Sequence, residues 1–366
     1  MTDSLPPPRE AMDKLLSSMG PIEASDLHLK VGYPPSFRVQ GSLRAAKMPP
    51  LPNSEYIEKM FEGLVPKALT KEYDEIGAVD FAFQHASGDR FRINMFRATS
   101  EIHASIRRVQ SKIPSFQSLN LPKIYEETVA KCNDGLILIS GITGSGKSTT
   151  LATLVQQINQ IRHMHIITVE DPIEFVFKPE KSIISQREIG VDVSSYQEAL
   201  RFVVRQDPDC IVIGEMRDRE TMLAALQAAE TGHLVLGTLH VSDVQQTFSR
   251  ILEFFPREDH SFIRSSMATS MRAIFCQKLL PGIKKGSRYP ATEVMIRNTV
   301  IKDKILHEKD GEIPEVINQY RDDGMRSFTF SLCELVEAEV VHYDTAMDFA
   351  PNRDALSSAV KGIIAG

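Results

Sequence analysis

The motif G-x-x-x-x-G-K-[ST] constrains this chain more than any other feature of its sequence. Residues 141–148 match it in full, after the apolar run 135–140 and at the start of a helical pattern from Lys147 to about Arg162. Glycines let backbone N–H groups close around a phosphate, and the helix adds a favourable dipole. We therefore predict a phosphate-binding loop in which Lys147 reaches the β- and γ-phosphates and Ser148 holds Mg²⁺. The flanking strand and helix argue against a glycine-rich turn that binds nothing.

Short apolar strands alternate with helical patterns from residue 121 onward. The predicted strands are 135–140, 165–170, 210–215 and 233–240. This alternation predicts a mainly parallel sheet between helical layers. We assign residues 121–366 to one α/β domain and expect its part beyond about residue 255 to be mostly helical.

The first 110 residues follow a different pattern. Apolar residues spaced i, i+3, i+4 and i+7 from Met12 predict an amphipathic helix, and residues 79–109 alternate with a period of two. These patterns predict a small α+β domain over residues 1–110 with an antiparallel sheet. Serine, proline and asparagine mark residues 111–120 as a linker.

Acidic residues stand at the carboxyl ends of two predicted strands, where ligands bind in open α/β sheets. Glu170 and Asp171 end one strand and could position Mg²⁺ or a water molecule, although a solvated strand end is also consistent with them. Glu215 ends the strand that resembles a Walker B segment, so it is the natural base or water-positioning group. The usual metal-binding aspartate position of that segment is Gly214. Metal coordination is therefore expected from Ser148, with the Glu170 region as a second source.

Histidines and arginines supply further candidates. His233 precedes the strand 234–239 and His240 follows it, so His240 could sense the γ-phosphate, although a structural role is equally consistent. Arginines of the first domain could stabilise charge on a transferred phosphoryl group, or could simply form a solvated strand face. They are Arg90, Arg92, Arg97, Arg107 and Arg108.

Composition limits the classes of partner. Lys plus Arg number 42 against 48 Asp plus Glu, a net charge of -6, and the chain has no Trp. Both facts disfavour nucleic-acid binding. The four cysteines are scattered, which is typical of reduced thiols in a cytosolic protein. No apolar stretch approaches the roughly 18–20 residues that span a bilayer, so any membrane role is expected to be peripheral or through a partner.

Six segments together resemble the secretion ATPases of type II secretion and type IV pili. They are ASDLHLKVGYPPSFRVQGSL, GDRFRINMFRA, GITGSGKST, ITVEDPIEF, DPDCIVIGEMRD and TGHLVLGTLH. Within that family the chain is most similar to the PilT-type pilus-retraction subtype, since it lacks both a long extra N-terminal domain and a tetracysteine zinc insert. The subtype's A-I-R-N-L-I-R-E segment is matched only in part by residues 295–302.

The resemblance implies a PAS-like domain followed by a RecA-like domain that hydrolyses ATP with Mg²⁺. It implies that Glu215 activates water, that Glu170, His233 and His240 lie in the family's acidic and histidine boxes, and that Arg92 and Arg107 reach a neighbouring subunit's nucleotide. The implied ATP-binding residues are Gly141, Ile142, Thr143, Gly144, Ser145, Gly146, Lys147, Ser148 and Thr149.

The same resemblance implies a homohexamer in the cytoplasm, peripheral at the inner membrane. Its implied partners are an inner-membrane pilus platform protein and a paralogous retraction ATPase, with no nucleic acid. Three alternatives stay open from the sequence. They are a pilus-assembly or type II secretion motor, a weakly active regulatory subunit of a paralogous motor, and a RecA-like DNA translocase.

Overall fold

The computed structural model describes residues 5–39, 41–109 and 113–362, and these residues form two compact units. The first unit comprises Met1–Lys112, Asp171–Val176 and Arg187–Ser194. The second comprises Ile113–Glu170, Phe177–Gln186 and Ser195–Gly366. The segment from Asp171 follows a strand of the second unit, and the segment from Arg187 begins with the last two residues of another, so Glu188 belongs to the first unit; the sequence did not indicate either segment. Residues 110–112, at the junction of the predicted first domain and the predicted linker, lie outside the described residues.

The first unit is built on an antiparallel sheet, as its period-two pattern predicts. Its strands are β1 (Ala24–Lys30), β2 (Ser36–Val39), β3 (Ser42–Ala45), β4 (Ala78–Gln84), β5 (Arg90–Ala98) and β6 (Glu101–Val109), in the order β3-β2-β1-β6-β5-β4. Its helices are α1 (Pro8–Met19), α2 (Ser54–Phe61) and α3 (Lys67–Ile76). The predicted amphipathic helix is confirmed as α1, which buries Met12, Leu15, Leu16 and Met19 in the core of this unit. Helix α3 was not predicted.

The second unit is built on a sheet with a parallel centre. Its strands are β7 (Gly135–Ser140), β8 (His165–Glu170), β9 (Ile183–Glu188), β10 (Cys210–Ile213), β11 (Leu234–Leu239), β12 (Met271–Pro281) and β13 (Arg288–Ile296). Their order is β13-β12-β7-β11-β10-β8-β9, and the pairs from β12 to β8 are parallel. The prediction of a mixed α/β fold with a mainly parallel sheet is confirmed.

Helices cover this sheet and continue to the end of the described chain. They are α4 (Phe116–Leu119), α5 (Lys123–Lys131), α6 (Lys147–Ile161), α7 (Tyr196–Val203), α8 (Arg219–Glu230), α9 (Val244–Glu253), α10 (His260–Ser270), α11 (Thr299–Leu306), α12 (Ile313–Gln319), α13 (Phe328–Glu337), α14 (Tyr343–Phe349) and α15 (Arg353–Val360). Short 3₁₀ turns lie at Arg257–Asp259 and Asp310–Glu312. Within residues 5–39, 41–109 and 113–362, no helix is long and apolar enough to cross a membrane.

The expectation of a mostly helical chain beyond residue 255 is wrong over β12 and β13. These two strands form an antiparallel hairpin, and β12 pairs in parallel with β7. Residues 273–277 of β12 are buried in succession, so the alternation that marks a half-exposed strand is absent there. A short buried strand and a buried helix have the same apolar pattern. The helical prediction holds from α11 onward.

Candidate functional site

Four neighbouring parallel strands end at one edge of the second unit's sheet. Leu239 of β11 lies opposite Ser140 of β7, and Ile213 of β10 lies opposite Val169 of β8. Residues that directly follow these strands must therefore meet at that edge. They are the predicted phosphate loop from Gly141, the acid Glu215 after Gly214, and His240, while Glu170 is the last residue of β8.

The loop between β7 and α6 requires glycine at both of its ends. A Cβ atom at Gly141 would lie 2.4 Å from Ser145 Oγ and 2.5 Å from the backbone oxygen of Gln277. Gly146 has φ of 89°, a left-handed conformation that glycine adopts without strain, and α6 begins at the next residue. The loop therefore turns sharply into the amino end of a helix, the arrangement that binds phosphate.

The side chains of the loop suit a phosphate ligand with a bound cation. Lys147 Nζ is buried and donates to the carbonyls of Gly141 at 2.8 Å and Ile142 at 3.1 Å. The buried Ser145 Oγ has no hydrogen-bond partner among the residues that the structure describes. Ser148 stands half-buried in the first turn of α6, where its hydroxyl is a suitable Mg²⁺ ligand.

The remaining loop residues differ in exposure. Thr149 is half-buried beside Ser148 in α6, whereas Ile142, Thr143 and Gly144 are exposed at the tip of the loop. Thr143 Oγ1 lies 3.5 Å from His240 Nδ1, so the tip of the loop faces the residue that follows β11.

Gln277 of β12 is a neighbour of this loop that the sequence did not reveal. It is buried, its Nε2 donates to Ser145 O at 2.6 Å, and its Oε1 accepts from Thr150 Oγ1 at 2.9 Å. It therefore connects the loop to α6. Sequence reasoning missed it because the strand that carries it was predicted to be helical.

Glu215 is paired on both carboxylate oxygens. Oε1 lies 3.3 Å from His240 Nε2, and Oε2 accepts from Arg217 at 2.6 Å. Burial alone would raise the pKa of Glu215, but the Arg217 hydrogen bond and the charges of His240, Arg217 and Lys147 bring it below its ordinary value. An ionised carboxylate next to the phosphate loop can orient a water molecule or accept its proton. Arg217 was not singled out from the sequence, although it lies in the quoted segment DPDCIVIGEMRD.

The structure gives a steric reason for the glycine at the usual aspartate position. A Cβ atom at Gly214 would lie 3.0 Å from the Tyr196 hydroxyl and 3.2 Å from the carbonyl oxygen of Val169. On the adjacent strand, Glu170 Oε1 accepts from Thr168 Oγ1 at 2.6 Å and from Gln186 Nε2 at 3.1 Å. These contacts hold Glu170 at the carboxyl edge while Gly214 contributes no ligand.

His233 is not brought to the phosphate loop within one chain. Its carbonyl accepts from Gly135 N at 2.9 Å, so it lies at the start of β7, at the opposite edge of the sheet. Its Nδ1 is 3.0 Å from the Ala228 carbonyl and 3.2 Å from Thr231 Oγ1. The residue also lines a cavity of about 460 Å³ together with Arg162. His233 precedes β11 and His240 follows it, as predicted, but only His240 contacts Glu215.

The arginines of the first unit fall into two groups. Arg92 and Arg107 are directly opposite each other on β5 and β6, and both are exposed. Arg107 Nε donates to Asp26 at 2.9 Å while 71% of its side chain stays accessible. Their action on a nucleotide stays a prediction. The other three are engaged within the unit: Arg90 with Glu188, Arg108 with Asp89, and Arg97 over the Tyr73 ring.

Comparisons with known proteins extend over nearly the whole chain. The family described as type II/IV secretion system protein matches residues 7–312. The type IV pilus retraction ATPase PilT of Pseudomonas aeruginosa is 36% identical over 92% of this chain and 97% of its own length. The twitching motility protein of Neisseria gonorrhoeae is also 36% identical, over 88% of this chain and 86% of its own length.

A solved structure agrees with these relatives. The crystal structure of the pilus retraction motor PilT with bound ADP matches with a TM-score of 0.88 and 37% identity. The match covers 94% of this chain and 98% of that chain. Both units described above are therefore included in the similarity.

Proposed function

Because this chain belongs to the type II/IV secretion system protein family and is a P-loop ATPase of that family, we propose that it is the motor that retracts type IV pili. The observation that carries the chemical part is the shared strand edge, which places the phosphate loop beside Glu215 and His240. The retraction part is supported by the full-length similarity to PilT. In this proposal the first unit is a PAS-like domain and the second a RecA-like domain.

The loop residues 141–149 hold ATP, and Lys147 neutralises charge on its phosphates. Bound Mg²⁺, held by Ser148, would supply further positive charge to the phosphate oxygens. Glu215 orients the attacking water and accepts its proton, and Glu170 supports this edge from the adjacent strand. His240 donates to Glu215 or to the terminal phosphate. No step needs a covalent intermediate with the protein.

We propose that the working assembly is a homohexamer in which Arg92 and Arg107 act on a neighbouring subunit's nucleotide. Their cross-strand placement puts two exposed guanidinium groups on one strand pair, which suits charge stabilisation on a transferred phosphoryl group. His233 lies at the sheet edge away from its own phosphate loop, so any catalytic contribution from this member of the histidine box would be made outside its own site.

The output of the motor is the removal of pilin subunits through an inner-membrane platform protein. We propose a cytoplasmic location that is peripheral to the inner membrane, with Mg²⁺-dependent turnover and a paralogous retraction ATPase as a further partner. A weakly active regulatory subunit is disfavoured because Lys147 and Glu215 are both present. The net charge of -6 disfavours a DNA translocase.

A pilus-assembly or type II secretion motor is the second candidate, since it would use the same chemistry with the opposite output. Deletion of the gene separates the two. The retraction proposal expects abundant surface pili that do not shorten, and restoration of shortening by the wild-type gene but not by Lys147→Ala. Cells without pili would contradict retraction and leave the ATPase assignment standing.

A further inference from the structure

We propose that Gln277 is a positioning residue that holds the phosphate loop in its nucleotide-binding conformation. This inference rests on the proposed function, because it concerns the same ATP site. Gln277 comes from β12, a strand outside the phosphate-loop segment, and reaches the loop with both its side chain and its backbone.

The direction of the Gln277 amide follows from its partners. A carbonyl oxygen can only accept, so the Nε2 group must face Ser145 O, at 2.6 Å. The Oε1 atom then receives the Thr150 hydroxyl, at 2.9 Å. Gln277 and Thr150 are each 2% exposed, so water cannot readily replace either bond.

The backbone of β12 supports the same loop. Cys276 pairs with Ser140 in the parallel register between β12 and β7, so the next residue of each strand lies beside the start of the loop. The Gln277 carbonyl oxygen occupies the space that a side chain at Gly141 would need. One residue therefore supports the loop where it leaves β7 and, through Ser145, where it enters α6.

Loss of this support should weaken binding of every nucleotide equally. The contacts of Gln277 are made to the protein and not to the group being transferred, so they are the same in the ground state and the transition state. Apparent affinity falls with the fraction of molecules whose loop is competent to bind. Weaker uniform binding raises KM and leaves kcat nearly unchanged.

The test compares Gln277→Met, which removes both bonds with little change in length, with Thr150→Val and Thr150→Ser. Thr153→Val is the matched control, because Thr153 is a buried threonine of the same helix whose hydroxyl bonds Thr149 O and Pro114 O instead. Calorimetric titration with ADP and Mg²⁺ on the full-length protein gives Kd, steady-state assays give KM and kcat, and thermal unfolding gives Tm.

We expect Gln277→Met to raise Kd for ADP and KM for ATP by about tenfold and to leave kcat within about twofold of the wild-type value. Thr150→Val should raise Kd and KM by about threefold to fivefold. Thr150→Ser should restore wild-type affinity, and Thr153→Val should lower Tm as much as Thr150→Val without changing Kd. In the double variant, Thr150→Val should add little to Gln277→Met.

Unchanged Kd in Gln277→Met and Thr150→Val would overturn the positioning role. An equal rise of Kd in Thr153→Val would also overturn it, because the effect would then be general destabilisation. If the wild-type protein does not bind ADP, the proposed function and this inference are both overturned. If the wild-type protein binds ADP and the variants keep its Kd, only this inference is overturned.

Discussion

Glu215 Oε1 and His240 Nε2 lie 3.3 Å apart, although the two residues follow different strands of the sheet. The contact arises because β10 and β11 are adjacent and parallel, so both residues leave the sheet at its carboxyl edge. Together with Arg217, His240 surrounds the Glu215 carboxylate with donors and lowers its pKa despite its partial burial. Glu215 is therefore ionised at neutral pH, as the proposed role of proton acceptor requires.

Removal of the Arg217 guanidinium should shift the pH dependence of turnover. Burial raises the Glu215 pKa, and the Arg217 hydrogen bond is the largest influence that lowers it. A base is active only when deprotonated, so Arg217→Gln should move the acidic limb of the kcat/KM profile to higher pH. Profiles between pH 4 and 8 test this. Arg219→Gln, which removes an exposed arginine paired with Asp259, should leave the limb in place.

The half-buried carboxyl of Glu293 near α9 predicts a second pH effect, on stability. Burial is the largest influence on the pKa of Glu293 and raises it, and the charge of Asp243 raises it further. A hydrogen bond from Val244 N and the charge of Lys278 lower it, and the resulting pKa is about 7. The pKa of Glu293 in the folded protein exceeds its ordinary value of 4.5. Ionising Glu293 therefore lowers the free energy of unfolding as the pH rises from about 4.5 to about 7, and this loss is complete above pH 7.

Glu293→Gln should therefore stabilise the protein more at pH 8 than at pH 5. A tenfold change in equilibrium corresponds to about 1.36 kcal/mol, so the difference is at most about 3 kcal/mol. Thermal midpoints at both pH values measure it, with Glu253→Gln, at the exposed end of α9, as the control. Equal changes of Tm at the two pH values would show that Glu293 is ionised without cost.

Much of the site could be predicted because it follows local rules. A glycine-rich loop between a strand and a helix serves few functions. Parallel strands bring the residues that follow them to the carboxyl edge of the sheet. The same rule separates the two histidines, since His233 precedes β11 and His240 follows it. The family resemblance places both histidines in the histidine box, and the strand geometry brings only His240 beside Glu215.

The parts that could not be predicted depend on long-range contacts. Gln277 lies 132 residues after its partner Ser145, on a strand whose continuous burial hides the alternation of a sheet. The contact of Glu188 with Arg90, which joins a late segment to the first unit, spans 98 residues. No local pattern marks such partners, because packing and hydrogen-bond satisfaction select them.

The proposed action of Arg92 and Arg107 across a subunit boundary predicts complementation. Arg92→Ala and Lys147→Ala should each inactivate the ATPase, the first by removing charge supplied to a neighbour and the second by disabling its own phosphate loop. Mixed rings contain some interfaces with both groups intact, so ATPase activity should partly return. The measurement is turnover of a purified mixture in which mixed assembly is verified by two affinity tags.

The control for the mixture is Arg44→Ala, a substitution on β3 of the same unit, which should stay active alone. Verified mixed rings that recover no activity would count against action of Arg92 in trans. Recovery in proportion to the fraction of interfaces that carry both an intact Arg92 and an intact Lys147 would support it, since neither parent turns over ATP alone.

The most direct test of the account is ATP turnover by Glu215→Gln beside Lys147→Ala. The amide has nearly the shape of the carboxylate but is a poor proton acceptor, so Glu215→Gln should bind ATP with near wild-type affinity and lose most of its kcat. Lys147→Ala should lose turnover because the phosphates lose its charge. Near wild-type kcat in Glu215→Gln would contradict the assignment of Glu215 as the base and move that role to Glu170.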